Sequence, residues 1–493
     1  MGDAEDDSLG TRTLRGMLWA YGSYVGGRLL VLLSTVVLAR LLTPADFGIV
    51  ALALVFTAFL ETLSDLGLTQ ALMLVEDEEQ LLRKADSVWS ASVLIALVLA
   101  AVVAALGPVA SDFFHEPKLV AVMPVLGLNF LLRALGSTHY ALAQKRLHFR
   151  ARAQAELADV LVRGGIGIAL AVAGAGVWSI VLGYTVGTLA MTAALWLLVP
   201  WRPRIRLKLE DLSGMIAFGG ALTAVGIIGA VLGATDDLIV GKVLGTTQLG
   251  LYNIAYRLPE LLIMNLSLVA GQVLFPAMAT LPRDSLPDAF LRALRYTLIV
   301  GLPLTVGLGI LAEPFLVTTF GEKWRDAAEA MQVMALWTLM APIGIIIGTA
   351  YKSLGRADIL LKLAIPQAVI LVPAIILVAH HGIVLVAACQ AAVALSFTCL
   401  ALVVAKRVLV LRWSDIWAAL WPPTTAAAAM AAALLLISSR GWNDVVTLIA
   451  ALLVGGLVYV VALWLVARES IRYLLATAFP GRAGDALAGG ARR

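Results

Sequence analysis

Residues 39–48 read ARLLTPADFG, and they join two runs of apolar side chains that are each long enough to cross a bilayer. A similar turn returns at residues 241–250 as GKVLGTTQLG, again between two apolar runs. When Arg40 is aligned with Lys242, the glycines that close the two stretches also coincide, as do flanking leucine and alanine positions. Because this agreement extends beyond the turn-forming residues, it predicts an internal repeat.

The first copy of the turn has strong helix-starting residues. Thr43, Pro44 and Asp46 fall at the N-cap, first and third positions of the helix that follows. A threonine oxygen accepts from free backbone N–H groups, proline loses nothing at the first position, and an acidic third residue completes a capping box. In the second copy Gly245 and Gln248 take the cap and third positions, which is a weaker form of the same device. We therefore interpret Asp46 as a structural residue.

Composition excludes a soluble globule. Of 493 residues 61% are hydrophobic and 14% are charged, with a mean hydropathy of +0.94, whereas soluble domains carry roughly 25% charged residues. The apolar blocks are too long and too continuous for the alternating strands of a membrane barrel. The predicted fold is an all-α polytopic membrane protein with about fourteen transmembrane helices, near residues 16–39, 45–69, 86–107, 119–143, 153–173, 176–199, 213–240, 249–280, 289–311, 327–351, 359–378, 382–404, 418–437 and 445–467.

The distribution of lysine and arginine predicts the orientation of these helices. With both termini in the cytoplasm, most basic residues fall in the inner loops. The outer loops hold only Arg40, Lys118, Lys242, Lys323, Arg325 and Arg440. The high pI of about 9.1 is therefore explained by membrane topology, and we expect no nucleic-acid partner.

The spacing of the two turns predicts the domain organisation. An even number of predicted helices separates them, so both face the same side of the membrane, as in a parallel pseudo-repeat of two six-helix lobes. The predicted parts are a cytoplasmic tail (1–15), an N-lobe (16–199), a basic cytoplasmic linker (200–212), a C-lobe (213–404), two further helices (418–467) and a cytoplasmic tail (468–493).

Charged side chains within predicted spans are the candidates for function, because a charge at mid-bilayer costs about 2.5–3.5 kcal/mol on insertion scales. Polar stripes on the first, second, fourth and eighth predicted helices (16–39, 45–69, 119–143 and 249–280) would line one water-filled cleft. Arginines there suit an anionic substrate, since a guanidinium can grip phosphate oxygens bidentately. The predicted substrate-binding residues are Tyr24, Arg28, Asn129, Arg133, Tyr256 and Arg257, and those predicted to couple ions or pair with arginines are Glu61, Asp65, Asp236, Asp237 and Glu260.

A simpler interpretation remains open for some of these charges. Arg163 can pair with Asp159, and Arg257 with Glu260, as ion pairs within one helix. We favour this structural role for the group on the fifth predicted helix (153–173), which also includes Glu156.

Motifs for catalysis are missing from the sequence. It contains no G-x-x-x-x-G-K-[ST] nucleotide-binding loop, no nucleophile elbow and no metal-spaced cluster of His, Cys and Asp. We therefore predict a transporter and no enzyme, without catalytic residues, metal site or bound cofactor, and with H⁺ or Na⁺ as the coupling ion.

Four stretches carry a family resemblance: ARLLTPADFGIVALA, SDLGLTQAL, ALAQKRLHFRARAQAE, and DDLIVGKVLGTTQLGLYNIAYRLPELL running on to VLFPAMATL. They resemble the polysaccharide-transport family of Wzx-type oligosaccharide-lipid flippases, within the multidrug/oligosaccharidyl-lipid/polysaccharide exporter superfamily. The similarity covers about residues 12–410. Many family members have twelve helices, and the predicted fourteen look more like the peptidoglycan lipid II flippases. The extra pair is expected to form either a groove for a prenyl tail or a peripheral support.

The resemblance implies two lobes around a cationic cavity with alternating access. The implied cargo is an undecaprenyl-pyrophosphate-linked oligosaccharide, which would cross from the inner to the outer leaflet of a bacterial plasma membrane. Membrane lipids, a polysaccharide polymerase and a chain-length regulator are the expected partners. Two alternatives stay open: a cation-coupled exporter of small molecules, and a membrane polymerase or ligase acting on the same lipid-linked glycan.

Overall fold

The computed structural model describes residues 26–64, 66–264, 278, 281–356 and 358–468, and within these ranges the chain is helical, with no strand. The first half contains α1 (26–41), α2 (Pro44–Ser64), α3 (Leu68–Leu72), α4 (Glu78–Phe114), α5 (Leu119–Lys145), α6 (Phe149–Val172), α7 (Val177–Leu198) and α8 (Leu209–Pro259). The second half contains α9 (Leu286–Ile310), α10 (Ala312–Phe320), α11 (Ala328–Ser353), α12 (Asp358–Val378), α13 (Ile383–Val408), α14 (Trp413–Ser438), α15 (Asp444–Ala450) and α16 (Gly456–Val466). Short 3₁₀ or π turns lie at Glu260–Met264, Arg283–Ser285, Glu322–Ala327, Ala379–His381 and Ala451–Gly455.

Many of these helices have the length and composition of membrane spans. In the described part of the chain, 10 helices are long and apolar enough to cross a membrane. Helix α6 does not qualify, although it overlaps a predicted span, and five charged residues in its sequence account for this: Arg150, Arg152, Glu156, Asp159 and Arg163. The all-helical membrane class is therefore confirmed, and the count of fourteen spans stays a prediction.

The first turn forms the predicted capping box. The Thr43 backbone N–H donates to Oδ2 of Asp46 at 3.1 Å, and the Asp46 N–H donates to the Thr43 hydroxyl at 3.3 Å. The Thr43 hydroxyl donates to the same carboxylate at 2.7 Å. Asp46 is 7% exposed, so this carboxylate is part of the helix start, as predicted.

The second turn works differently. Helix α8 continues on both sides of Gly245, whose φ of 84° and ψ of 175° break the helix into two arms. This conformation is open to glycine and strained for other residues. A backbone that only glycine adopts easily thus replaces the side-chain cap of the first turn.

The two turns contact each other reciprocally through their matching glycines. A Cβ at Gly48 would overlap the Thr246 carbonyl, 2.6 Å from its carbon, and a Cβ at Gly250 would overlap the Pro44 carbonyl, 2.7 Å from its carbon. In the alignment of the two sequence stretches, Gly48 corresponds to Gly250 and Pro44 to Thr246. Each copy therefore makes the same contact with the other, which is the pattern of a two-fold-related interface.

The described chain divides into two compact units, with the boundary between Asn253 and Ile254. In the first unit α4 packs on α5, α6 packs on α7, and α5 also contacts α7. In the second unit α11 packs on α9 and α13, and α14 packs on α9 and α16. The Tyr459 hydroxyl donates to the Ile299 carbonyl at 2.7 Å, which ties α16 to α9.

Candidate substrate cavity

A cavity of about 490 Å³ lies in the first unit, among α3, α5, α6 and α7. One face of α5 forms much of its wall, since Arg133, Ser137, Tyr140 and Gln144 recur at helical spacing. The other lining residues are Thr69, Gln70, Met73, Gly136, Ala141, Asp159, Arg163, Thr188, Met191, Thr192 and Leu195. Its size is that of a pocket for a small organic ligand.

Glycines on α7 set the distance between the helices that hold the charged residues. A Cβ at Gly183 would lie 2.9 Å from the Arg163 carbonyl oxygen, and one at Gly187 would lie 2.8 Å from Cβ of Arg163. Without side chains at these two positions, α7 approaches α6 closely. Tyr184 is thereby held against the guanidinium of Arg163, whose Cζ lies 4.3 Å from the ring centroid.

Two arginines therefore flank the ring of Tyr184. The Arg133 guanidinium donates to the Tyr184 hydroxyl at 2.5 Å and pairs with the carboxylate of Glu61. The Arg163 guanidinium donates to both carboxylate oxygens of Asp159, at 2.9 and 2.6 Å. The two arginines and two carboxylates balance in charge, so the cluster carries no net charge.

Asn129 lies beside this cluster and is 5% exposed. Its amide nitrogen donates to the Thr185 hydroxyl at 3.1 Å and to the Leu126 carbonyl at 3.1 Å. Its carbonyl oxygen has no hydrogen-bond partner among the described residues. A small space of about 20 Å³ next to it is also lined by Thr57 and Glu61.

A second group of charges lies further along α5. The Tyr140 hydroxyl donates to Glu156 at 2.8 Å and accepts from Arg152, whose guanidinium lies 4.4 Å from the Tyr140 ring centroid. Arg152 is also 3.7 Å from the Glu156 carboxylate. This arginine is thus held by groups on α5 and α6.

The described part of the second unit contains three of the predicted site residues. The ring of Tyr256 packs on Trp337, with 5.2 Å between the centroids. Arg257 is exposed, and Glu260 begins the π turn that follows Pro259. Interruptions of this kind in a helix often occur at functional sites.

The remaining predicted residues lie elsewhere. Arg28 is exposed on α1, and Asp237 is half-buried on α8. The Asp236 carboxylate accepts from the Tyr252 hydroxyl at 2.9 Å, which joins the two arms of α8. Tyr24 and Asp65 lie outside the described residues.

The structure brings together Glu61, Asn129 and Arg133 in the first unit. The ion pair between Arg163 and Asp159 forms as expected. The same two side chains also line the cavity, which the sequence did not indicate. Tyr184 was missed as well. The signal that could have found it is the sequence GYTVG at 183–187, in which two glycines four residues apart allow a close helix contact beside a tyrosine.

Comparison with known proteins gives consistent results. Residues 37–329 match the protein family described as "Polysaccharide biosynthesis protein". The lipopolysaccharide biosynthesis protein WzxC of Escherichia coli (strain K12) is 28% identical over 378 residues, which cover 75% of this chain and 76% of WzxC. The succinoglycan biosynthesis transport protein ExoT of Rhizobium meliloti (strain 1021) is 27% identical over 327 residues, 65% of each chain.

Two solved structures share the fold. The lipid II flippase MurJ in an inward closed conformation aligns with a TM-score of 0.75 and 16% identity, over 92% of this chain and all of that one. A multidrug resistance MATE family transporter in an inward-facing conformation aligns with a TM-score of 0.62 and 15% identity, over 78% of this chain and 94% of that one. At these identities the likeness shows the fold alone.

Proposed function

This chain belongs to the polysaccharide biosynthesis protein family, and on that basis we propose that it is a lipid-linked oligosaccharide flippase. It moves an undecaprenyl-pyrophosphate-linked oligosaccharide from the inner to the outer leaflet by alternating access, for surface or extracellular polysaccharide. The names of WzxC and ExoT, which refer to lipopolysaccharide biosynthesis and succinoglycan transport, support this assignment. The observation that carries it is the cavity with two arginines, Arg133 and Arg163, around Tyr184.

The paired arginines suit a site that binds and releases an anion. In the structure Glu61 holds Arg133, and Asp159 holds Arg163. Two oxygens of a phosphate can accept from one guanidinium bidentately, as a carboxylate does, so a phosphate can replace the carboxylate. The displaced carboxylate is then left without the cation that paired with it. Glu61 is thus our candidate for coupling transport to H⁺, with Na⁺ as the other ion that would balance its charge.

The second unit supplies further contacts in this proposal. Arg257 and Glu260 lie where α8 gives way to a π turn, and Tyr256 is fixed by Trp337. We assign Arg28 of α1 and Arg257, each within its own unit, as residues that contact the cargo, and Glu260 to charge balance. Asp236 and Asp237 take a supporting role.

The finer organisation is also part of the proposal. Fourteen spans form two six-helix lobes with two C-terminal helices, both termini are cytoplasmic, and the protein lies in the bacterial plasma membrane. Its basic inner loops favour this orientation. A polymerase and a chain-length regulator act on the glycan after it is flipped.

Export in a host that lacks its own flippase tests the proposal. Arg28→Ala and Arg257→Ala should each abolish surface glycan while the protein stays inserted at normal levels, because the pyrophosphate loses its cationic contacts. Arg83→Ala is the matched control. That side chain is exposed, and its contact with Glu79, at 3.9 Å, is long for an ion pair. Normal export from both test variants at equal expression would contradict the assignment of Arg28 and Arg257 to the cargo.

The same host distinguishes the proposed flippase from the alternative function, the export of small molecules. A small-molecule exporter would raise resistance to cationic dyes, and the MATE-like fold makes that comparison worthwhile. We expect no change in dye resistance, because the carboxylates at the cavity, Glu61 and Asp159, are each bonded to an arginine.

A further inference from the structure

We propose that the half of the cavity away from Arg133 is a sugar-binding subsite, which recognises hydroxyl groups of a neutral glycan while the arginines hold the acidic group. This inference rests on the proposed flippase function and deepens it. It assigns Gln70 and Gln144 as glycan-contacting residues.

The cavity is long enough to hold two chemically different parts of one ligand. Arg133 and Gln144 lie on the same α5 wall, eleven residues apart, so their backbones are about 16 Å apart along the helix. The charged lining residues are Arg133 of α5 and the pair Asp159 and Arg163 of α6, and both arginines meet at the ring of Tyr184. At the other end the polar lining residues are amides and hydroxyls.

The neutral character of that end is maintained by nearby interactions. Lys145 directly follows Gln144, yet its ammonium donates to the carbonyls of Leu72, Met73 and Val75 at the end of α3. Arg146 pairs with Glu78. Arg152 is bound by Tyr140 and Glu156. None of these three cations is among the residues that line the cavity, so they present no charge to a second anionic group there.

The amides are suited to sugar hydroxyls. A glutamine side chain both donates and accepts, and so does a hydroxyl group, so one amide can bind two neighbouring hydroxyls of a ring. The side chain of Gln144 makes no hydrogen bond within the described chain, and Gln70 uses only its carbonyl oxygen, 3.3 Å from the Thr69 hydroxyl. Both glutamines are exposed to the cavity space. Their remaining donors and acceptors are thus available.

The apolar residues that line the cavity also suit a sugar ring. Met73, Met191 and Leu195 share the cavity with the two amides. Sugar rings present C–H faces between their hydroxyls, and flexible thioether side chains adapt to such irregular surfaces. A prenyl chain would leave the amides without partners when it displaced water from them, which is unfavourable.

The test compares two probe lipids on the purified full-length protein in nanodiscs, by titration followed with tryptophan fluorescence or native mass spectrometry. One probe is undecaprenyl pyrophosphate, and the other is the same lipid carrying a neutral disaccharide. We expect the double variant Gln70→Ala/Gln144→Ala to bind the glycosylated probe about tenfold more weakly, the loss of two modest hydrogen bonds. Binding of the sugar-free probe should stay within about twofold of wild type.

Gln154→Ala is the matched control, because Gln154 is an exposed glutamine of α6 that does not line the cavity. The subsite is overturned if the double variant binds both probes as wild type does, or loses both equally. Failure of the wild-type protein to bind either probe would instead overturn the proposed function. The two inferences thus fail in different ways.

Discussion

The turns at 39–48 and 241–250 occupy equivalent places in an internal repeat, yet they differ in how they stop and restart a helix. The first uses side chains, with Thr43 and Asp46 in a capping box. The second uses the backbone of Gly245. What they share is the glycine five residues after the N-cap position, Gly48 or Gly250, which meets the carbonyl of the other copy.

The difference shows which features of the repeat are interchangeable. A helix start can be stabilised by a side-chain oxygen or by a glycine turn, at similar free energy. A close contact between two backbones has no such substitute, because any Cβ occupies the space of the opposing carbonyl. The contact glycines are therefore the common element, while the capping chemistry has diverged.

The largest effect should come from filling the reciprocal contact. Gly48→Ala or Gly250→Ala places a methyl group on the opposing carbonyl, and we expect each to lower the free energy of unfolding by about 3 kcal/mol, the upper range for overpacking. Thermal unfolding of the purified protein, followed by tryptophan fluorescence, measures the change. Gly165→Ala is the control, since a Cβ there meets nothing within 4 Å, and its better helix propensity should raise stability by up to about 1 kcal/mol.

The double variant tests whether the two glycines form one contact. Once one methyl group has separated the turns, the second should cost little, so the combined loss should be clearly less than the sum of the single losses. Fully additive losses would mean that Gly48 and Gly250 act independently.

An intermediate effect is expected at Gly245, for a different physical reason. A Cβ there would meet no atom within 4 Å, so Gly245→Ala changes the backbone preference and nothing in the packing. Holding alanine at a φ of 84° should lower the stability by about 2 kcal/mol. Gly233→Ala controls for the substitution, because it lies in the same helix, also with open space around it. Equal stability of the two variants would show that the left-handed backbone at Gly245 does not require glycine.

The sequence predicted the helical membrane class and the start of α2, because both depend on local chemistry. A long apolar run that crosses a bilayer must satisfy its own backbone hydrogen bonds, which a helix does. Thr43 and Asp46 lie three residues apart in sequence, so their capping box is also local. The pairing of Arg163 with Asp159 was equally local. These are interactions within one helix or one turn.

The cavity could not be predicted in the same way, because it depends on distances between helices. Asp159 and Arg163 satisfy each other on α6, and nothing in that spacing shows that α7 brings Tyr184 against them. That contact requires Gly183 and Gly187 on α7. Likewise, the sequence does not show that the ammonium of Lys145 is bound by carbonyls of another segment.

The smallest effect should come from the caps, and it distinguishes the two turns most directly. Asp46→Ala removes the acceptor for the Thr43 N–H and hydroxyl, and loss of a cap costs about 1 kcal/mol. Gln248→Ala changes the equivalent third position of the second turn, where no capping hydrogen bond of Gln248 is present in the described chain, and we expect a change within about 0.5 kcal/mol. Thermal unfolding of both variants side by side gives the comparison. If Gln248→Ala proved as destabilising as Asp46→Ala, the second turn would also depend on its side-chain cap, and the contrast between the two turns would be lost. If instead only Asp46→Ala is destabilising while surface export persists in both variants, Asp46 is a structural residue despite its charge and its burial.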